Sequence, residues 1–426
     1  MTGSDQASRS METWTSVHGR LRAEVDPVVF DKWLEPLTFA GLHGNAVHLA
    51  APTRFQRDWV ENTFGERILA LWQAESSEND AEISEVEIVV QPKPRKPPKD
   101  AEAAAAEKAQ RKTEAAKADR RWTAAIKRAS VRGRTDRRPE LEKVRKQLGK
   151  VGVWSRTPYF GEPHEATSLA ATAEELGYQA LWIPGFDGGH IFERCGMALE
   201  ATSKLTIATG IVNIWRHEPA EVAETVGKLR ADSGGRFLLG LGSSHKYLIG
   251  DDYDKISPIA KMSGYLDALD AGGTPVEDRL LGALGPKMLE LAAERTVGSH
   301  PCFMPPEHTA AAREVLGEGN LLMPELGVIL ETDPVKARTI ARSFASLYYK
   351  GPNYNNNLRR FGYTDEDFAG EGSDRLIDAI IAWGDPAAIA ARVRAHLDAG
   401  ADHVAIHSRG LSPEADVWRE LAPFLL

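Results

Sequence analysis

Four stretches of the chain hold side chains able to bind or transform a ligand. Asn213, Trp215, Arg216 and His217 form one, and Ser243, Ser244, His245 and Lys246 another. Leu284-Gly285-Pro286-Lys287 opens a helical pattern, and His300-Pro301 follows a short apolar run. Imidazole moves protons well because its ordinary pKa of about 6.5 lies near neutral pH. The segment Gly282-Ala283-Leu284-Gly285-Pro286-Lys287 suits an anion. Glycine lets backbone approach a ligand, proline fits a first helical position, and N–H groups at a helix start attract negative charge. An ordinary βα turn has the same spacing, so both readings stay open. Trp154 and Trp215 are candidates to wall a pocket, although a Trp at a strand end is more often a packing residue.

Other chemistries lack their signatures. Gly240-Leu241-Gly242-Ser243-Ser244-His245 has His where a dinucleotide fingerprint needs its third glycine. HEATS and HTAAAR carry no second histidine four residues on, and Cys195 and Cys302 have no metal-ligand spacing. No serine or cysteine sits in a nucleophile elbow, and no G-x-x-x-x-G-K-[ST] phosphate loop occurs. By elimination, redox chemistry borrowed from a phosphorylated organic cofactor fits best, with no metal.

The elements that must position these groups alternate between short apolar runs and helical patterns. KVGVW, ALWIPG, LTIATGIVNI, FLLGLG, RLLGALG, SHPCFM, LLMPELGVILE and HVAIHS are each followed by helical material. Strands buried on both faces fit a parallel sheet, and eight such units have the size of a (β/α)8 barrel over 149–426. A doubly wound sheet is the alternative. In a barrel the site lies at the C-terminal strand ends, where the four stretches fall. Cationic groups clustered on one rim of an acidic domain suit an anionic ligand.

Charge divides the 426 residues into three parts: 7 Lys+Arg against 15 Asp+Glu over 1–92, 20 against 8 over 93–150, and 25 against 38 over 151–426. The basic part starts with the helix-breaking KPRKPPKD and continues in alanine-rich helical sequence. It reads as a solvated, partly helical linker over 93–148, without an apolar stripe wide enough to dock. Nucleic-acid contact through RRWTAAIKRASVRGRTDRR is the sharper alternative. Two cysteines exclude a disulfide scaffold. With no apolar run long enough for a bilayer and a polar N-terminus, the expectation is a soluble cytoplasmic protein without membrane contact.

Residues 11–92 predict a small α+β module of order ααββαβ, KH-like in type. Trp14, Val17, Leu21 and Val25 recur at helical spacing, and Pro27 suits the start of a second helix with Phe30, Trp33 and Leu34. His43-Gly44-Asn45 has hairpin-turn chemistry. A third helix carries Phe55, Trp59, Phe64, Ile68, Leu71 and Trp72 before the strand EVEIVVQP. With Trp14, Leu21, Phe30, Trp33, Leu34, Pro36, Leu49, Pro52, Phe55, Asp58, Trp59, Val60 and Ile68 at the matching positions, this module resembles domain I of the bacterial replication initiator DnaA. The resemblance implies self-association or contact with replication proteins such as helicase, with Trp14 and its helix at the contact. An inherited appendage without that role is the alternative. The initiator's motor loop and DNA-binding tail are absent from the sequence.

The segments from KVGVW through AEELGYQALWIPG, LTIATGIVNIWRHEPAEVAETVGKL, SGGRFLLGLGSSH and ALGPKMLELAAERTVGSHPCFM resemble luciferase-like barrel oxidoreductases. The likeness extends through PNYNNNLRRFGY and HLDAGADHVAIH and is greatest to enzymes using the deazaflavin coenzyme F420. It implies hydride transfer between that cofactor and a small organic substrate in a homo-oligomer; the alternatives are an FMN-dependent monooxygenase, or a replication-related protein-interaction module carrying a non-catalytic barrel. Gly210, Ile211, Val212 and Asn213 match a bulge against the deazaflavin ring, often with a non-proline cis peptide. Ser243, Ser244 and His245 match the segment beside ring and substrate, and Leu284, Gly285, Pro286 and Lys287 the phosphate-binding turn. His245 is the expected proton carrier, with His190, His217 and His300 as rivals. Where relatives carry an acidic residue after WIP this chain has Gly185, so Asp187 and His190 are the nearby candidates for the strand-two catalytic pair.

Overall fold

The computed structural model describes residues 3–25, 30–52, 54–75, 83–90, 120–127, 138–185, 190–349, 351–410 and 412–426. The chain forms two units, centred on Met1–Glu107 and on Lys108–Arg342 with Tyr348–Leu426.

In the first unit a helix over Gly3–Glu24 precedes a single π-helical turn at Phe30–Leu34. Strands β1 (Thr38–His43) and β2 (Ala46–Ala51) pair antiparallel around Gly44, whose φ of 64° explains the glycine there. A helix over Arg54–Glu75 then returns the chain so that β3 (Glu85–Val90) pairs parallel to β2. Trp14, Val17, Leu21, Phe30, Trp33, Leu34, Phe64, Ile68, Leu71 and Trp72 are buried, as the spacing predicts. Trp14 is a core residue, which removes it from the contact surface expected for it: an indole packed inside cannot also face a partner. Pro27 and the side chains of Phe55, Asp58 and Trp59 lie outside the described residues.

The second unit is a (β/α)8 barrel. Its strands are β4 (Val151–Trp154), β5 (Ala180–Gly185), β6 (Thr206–Asn213), β7 (Phe237–Gly242), β8 (Arg279–Leu281), β9 (Gly298–Ser299), β10 (Leu321–Leu322), β11 (Glu325–Ile329), β12 (Ile381–Trp383) and β13 (Val404–Arg409). All neighbours are parallel, in the order β10-β9-β8-β7-β6-β5-β4-β13-β11-β12. The seventh stave is split: β10 pairs with β9, while β11 pairs with β13, and a bridge between Cys302 and Glu325 closes the ring. Strand β12, paired outside β11, is not among the eight apolar runs expected from the sequence. Alternation sorts the side chains. Val151, Val153, Leu181, Ile183, Val404 and Ile406 meet the helices, while Trp154, Ala180, Trp182, Leu238, Leu280 and Ala405 fill the inside.

Part of the linker belongs to this unit, contrary to the expectation of a solvated spacer. In the helix Arg138–Leu148, Leu141, Val144 and Leu148 share one stripe and join the inner cluster with Leu238, Leu280, Val297 and Leu321. These neighbours sit at the N-terminal strand ends, so the helix plugs the barrel's lower mouth. Helix 120–127 buries Trp122 and Ala125 against the outer cluster. A few bulky residues outweigh a sequence whose composition is dominated by alanine and charge. KPRKPPKD and the alanine-rich stretch through Asp119 lie outside the described residues. No described helix is long and apolar enough to cross a membrane.

Candidate functional site at the barrel mouth

On β6 the ladder slips register against β7 between Ala208 and Val212. The Thr209 hydroxyl spans the slip, accepting the Gly240 N–H at 2.7 Å and donating to the Gly240 carbonyl at 2.9 Å. Backbone groups freed by the bulge are thus paired. The Gly210–Ile211 peptide within it is cis. The Ile211 side chain lies against Gly242, where a Cβ would overlap it, and 3.4 Å from the Cβ position at Gly282. Asn213, buried at the strand end, accepts the Trp215 N–H through Oδ1 at 3.1 Å.

Gly210 faces two aromatic residues across the interior. A Cβ there would stand 2.5 Å from Trp154 Nε1 and 3.2 Å from His300 Nε2. Neither nitrogen has a hydrogen-bond partner among the described residues. His300 stacks on Trp182 at 4.1 Å and donates from Nδ1 to the Met323 carbonyl at 2.6 Å. That bond fixes the proton on Nδ1 and leaves Nε2 an acceptor. Burial pushes the His300 pKa down to about 3, so the ring is neutral. A buried donor and a buried acceptor therefore sit side by side under the bulge, the kind of pair a bound partner completes.

Beyond Trp154, whose ring lies 4.0 Å from that of His407, the interior holds an acid–imidazole pair. Glu325 Oε1 and His407 Nδ1 are 2.7 Å apart, and both side chains are buried. Burial raises the Glu325 carboxyl to about 8 against the opposing pull of Arg409, and holds His407 well below its ordinary range, with Arg409 and Arg156 pushing the same way. Both groups favour their neutral forms, so one proton joins them, either the carboxyl O–H donating to Nδ1 or Nδ1–H donating to Oε1. Further out, Cys302 Sγ contacts Tyr354 Oη at 3.0 Å, and burial keeps the thiol protonated. The Tyr354 ring is 5.7 Å from His245.

His245 follows Ser243 and Ser244 past β7. Ser244 is left-handed, with φ 55°, and the Ser243 carbonyl accepts the Trp215 indole N–H at 2.9 Å. Burial lowers the His245 pKa to about 4, well under the 6.5 expected of a solvated imidazole, so it stands neutral through the working range. His217 is likewise lowered by burial and packs edge-on against Phe192.

The turn Leu284-Gly285-Pro286-Lys287 opens the helix Pro286–Arg295 with no side-chain cap, and Lys287 is exposed. His308 Nε2 donates to the Leu284 carbonyl at 2.9 Å. The helix Pro352–Arg360 runs from His245 to this turn: Tyr354 meets His245, and Asn357 Nδ2 is 4.0 Å from the Cβ position at Gly285.

The structure brings Gly210, Ile211, Val212, Asn213, Ser243, Ser244 and His245 to one end of the barrel, with the 284–287 turn on the adjacent stave. His190 stands at the same end, after β5, but its side chain is 75% exposed and pairs with Glu193 at 3.0 Å at the start of the helix Ile191–Glu200. Asp187 lies outside the described residues. Sequence reading missed Glu325, His407, Cys302 and Tyr354. The available signal was a charged or polar residue inside apolar runs, in the same alternation phase as Ala405 and Met323. Among the described residues no cluster suits a metal ion.

Residues 11–74 match the DnaA N-terminal domain family and residues 147–274 the luciferase-like monooxygenase family. The chain is 39% identical over 64 residues to the chromosomal replication initiator protein DnaA of Nitrobacter hamburgensis, covering 15% of this chain and 14% of that protein. It is 38% identical over 78 residues to DnaA of a Bradyrhizobium species, covering 18% and 15%. It thus spans only about a seventh of these relatives. Among solved structures, an F420-dependent secondary alcohol dehydrogenase in complex with an F420-acetone adduct superposes with TM-score 0.51 at 17% identity, covering 65% of this chain and 99% of that one. The coenzyme F420 dependent tetrahydromethanopterin reductase of Methanopyrus kandleri gives 0.53 at 19%, covering 64% and 96%. A luciferase-like barrel therefore stands behind a DnaA N-terminal-type module.

Proposed function

We propose that the barrel is an oxidoreductase transferring a hydride between coenzyme F420 and a small organic substrate. The observation that carries this reading is the floor of the mouth. A ledge at Gly210–Asn213, cleared by Gly242 and Gly282, lies over a neutral donor and acceptor at Trp154 and His300. Such a floor suits a flat, polar ring system, and both superposed enzymes are described as F420-dependent. When bound, the deazaflavin supplies the carbon that gives or takes the hydride.

The protein's residues do the rest. Gly210, Ile211, Val212 and Asn213 would support the ring, with Ser243 and Ser244 at its edge. Leu284, Gly285, Pro286 and Lys287 would hold the phosphate through free N–H groups and one cation. His245, neutral and next to Tyr354, would take up the proton that accompanies hydride loss from the substrate. Its lowered pKa makes it a quick proton donor once charged.

Fluorescence titration of the full chain with coenzyme F420 and with FMN tests the reading. Tighter binding of F420 is expected, and tighter binding of FMN, or of neither, would overturn it. For the N-terminal module we propose a protein-contact role through the outer face of its first helix, where Met11 is exposed. Capture of the replicative helicase is expected to be weak or absent, and strong capture would assign the module a replication role.

A further inference from the structure

We infer that Trp122, in the connector ahead of the barrel, is a positioning residue for the ligand-holding turn at 284–287. The inference rests on the reading of that turn given above and adds a residue from outside the barrel proper. Trp122 is 1% exposed, although it lies in sequence dominated by alanine and charge. Its indole meets the His308 ring edge-on, with centroids 5.8 Å apart at 84°. The Arg360 guanidinium lies 4.7 Å over the same indole, and Phe361 closes the other side of His308 at 6.0 Å. His308 is thus held between an indole and a phenyl ring.

Its one polar contact among the described residues sets the turn. Nε2 donates to the Leu284 carbonyl, while Nδ1 has no partner. Burial keeps the ring neutral, so one nitrogen donates and the other does not. A trans peptide points its C=O and N–H in opposite directions. By holding the Leu284 carbonyl, His308 therefore aims the Gly285 N–H away from itself, on the side opposite the packed cluster. Arg360 ends the helix Pro352–Arg360, which also places Asn357 beside Gly285 and Tyr354 beside His245. One indole thus steadies both the peptide that opens the turn and the helix that crosses to the proton carrier. Without it, His308 and Arg360 would face solvent and the carbonyl would lose its fixed donor.

The test measures coenzyme F420 affinity by fluorescence titration in the full chain, alongside turnover at saturating cofactor. Trp122→Ala is expected to weaken binding about tenfold, to leave kcat at saturation within twofold, and to be rescued by Trp122→Phe. His308→Phe, which keeps the packing but removes the donor, should weaken binding to the same degree. Lys287→Ala reports on the turn itself. If Lys287→Ala weakens binding while Trp122→Ala and His308→Phe leave it unchanged, the inference fails and the turn stands. If all three are silent, both fail. Should Trp122→Ala prevent folding, the decision passes to His308→Phe: a tenfold loss supports the inference and an unchanged affinity overturns it.

Discussion

On β6, β7 and β8 the barrel mouth is lined by Gly210, Gly242 and Gly282, whereas on β4, β11, β13 and just past β9 it is lined by Trp154, Glu325, His407 and His300. The first side works by leaving atoms out, so that Ile211 and the bulge can occupy the space. The second works by enclosing groups that would ionise in water and holding them neutral. One wall should therefore respond to added volume and the other to protons, and that contrast can be broken or sharpened by experiment.

The largest effect is expected from Gly240→Ala. Its Cβ would overlap the Thr209 carbonyl oxygen, a backbone atom pinned by its own side chain's bonds to Gly240. A loss of about 3 kcal/mol is expected, at the upper end for overpacking, and urea denaturation of the full chain measures it. Wild-type stability would show that the bulge can shift, and that the glycine wall is not close-packed.

Acidity should act on the buried titratable groups, His300 and Glu325 of the second wall among them. His245, His300 and His403, the last buried just ahead of β13 against the Gly149 carbonyl, have pKa values lowered to about 4, 3 and 4, so the native protein binds fewer protons than the unfolded chain below pH 6.5. Their contribution is present above 6.5 and is lost as pH falls toward those values. Glu325 has the opposite sign: raised to about 8 from 4.5, its contribution is full below pH 4.5 and is lost as pH rises from there through 8. Each group alters the slope by about 1.4 kcal/mol per pH unit within its window. The melting temperature should thus peak near pH 6.5. Glu325→Gln, whose amide can still hydrogen-bond His407, should flatten the alkaline limb and steepen the acid limb between pH 4.5 and 6.5. An unchanged alkaline limb would mean the pair is not neutral.

A smaller effect separates binding from chemistry. Lys287→Ala should weaken F420 binding ten- to hundredfold, most at low salt, because charge-assisted hydrogen bonds are worth about 1.5–3 kcal/mol and salt screens them. His245→Ala should slow turnover with affinity nearly unchanged. Equal losses of affinity in the two variants would merge the roles. The smallest effect is expected of His190→Ala: its side chain is exposed and pairs with Glu193, and turnover and melting temperature should match the parent.

How far the sequence could be read follows the same division. Eight staves were legible because each is a short apolar run ended by turn residues, and the hairpin at Gly44 was legible from its turn chemistry. Strand β12 was not, because Ile381-Ala382-Trp383 follows the helix Asp374–Ile380 with no intervening turn. The bulge and the 284–287 turn were located by resemblance, since a glycine's reason for being there is the neighbour it admits. Glu325 and His407 were passed over because their chemistry comes from a burial that local sequence does not display. Leu141, Val144 and Leu148 were passed over because three apolar residues look sparse until the mouth they fill is known.

That helix has a consequence for the order in which the molecule is made. Residues 138–148 leave the ribosome before any barrel strand, yet the cavity they seal is complete only when β13 closes the ring at the far end of the chain. Leu141, Val144 and Leu148 wait for Leu238, Leu280, Val297 and Leu321 before they have their partners, and the lower ends of the staves stay open until the ring closes. Long-range closure of this kind is slow and leaves apolar surface open to other chains. The nascent barrel thus depends on shelter for most of its synthesis, and gains its first protected interior in one late step.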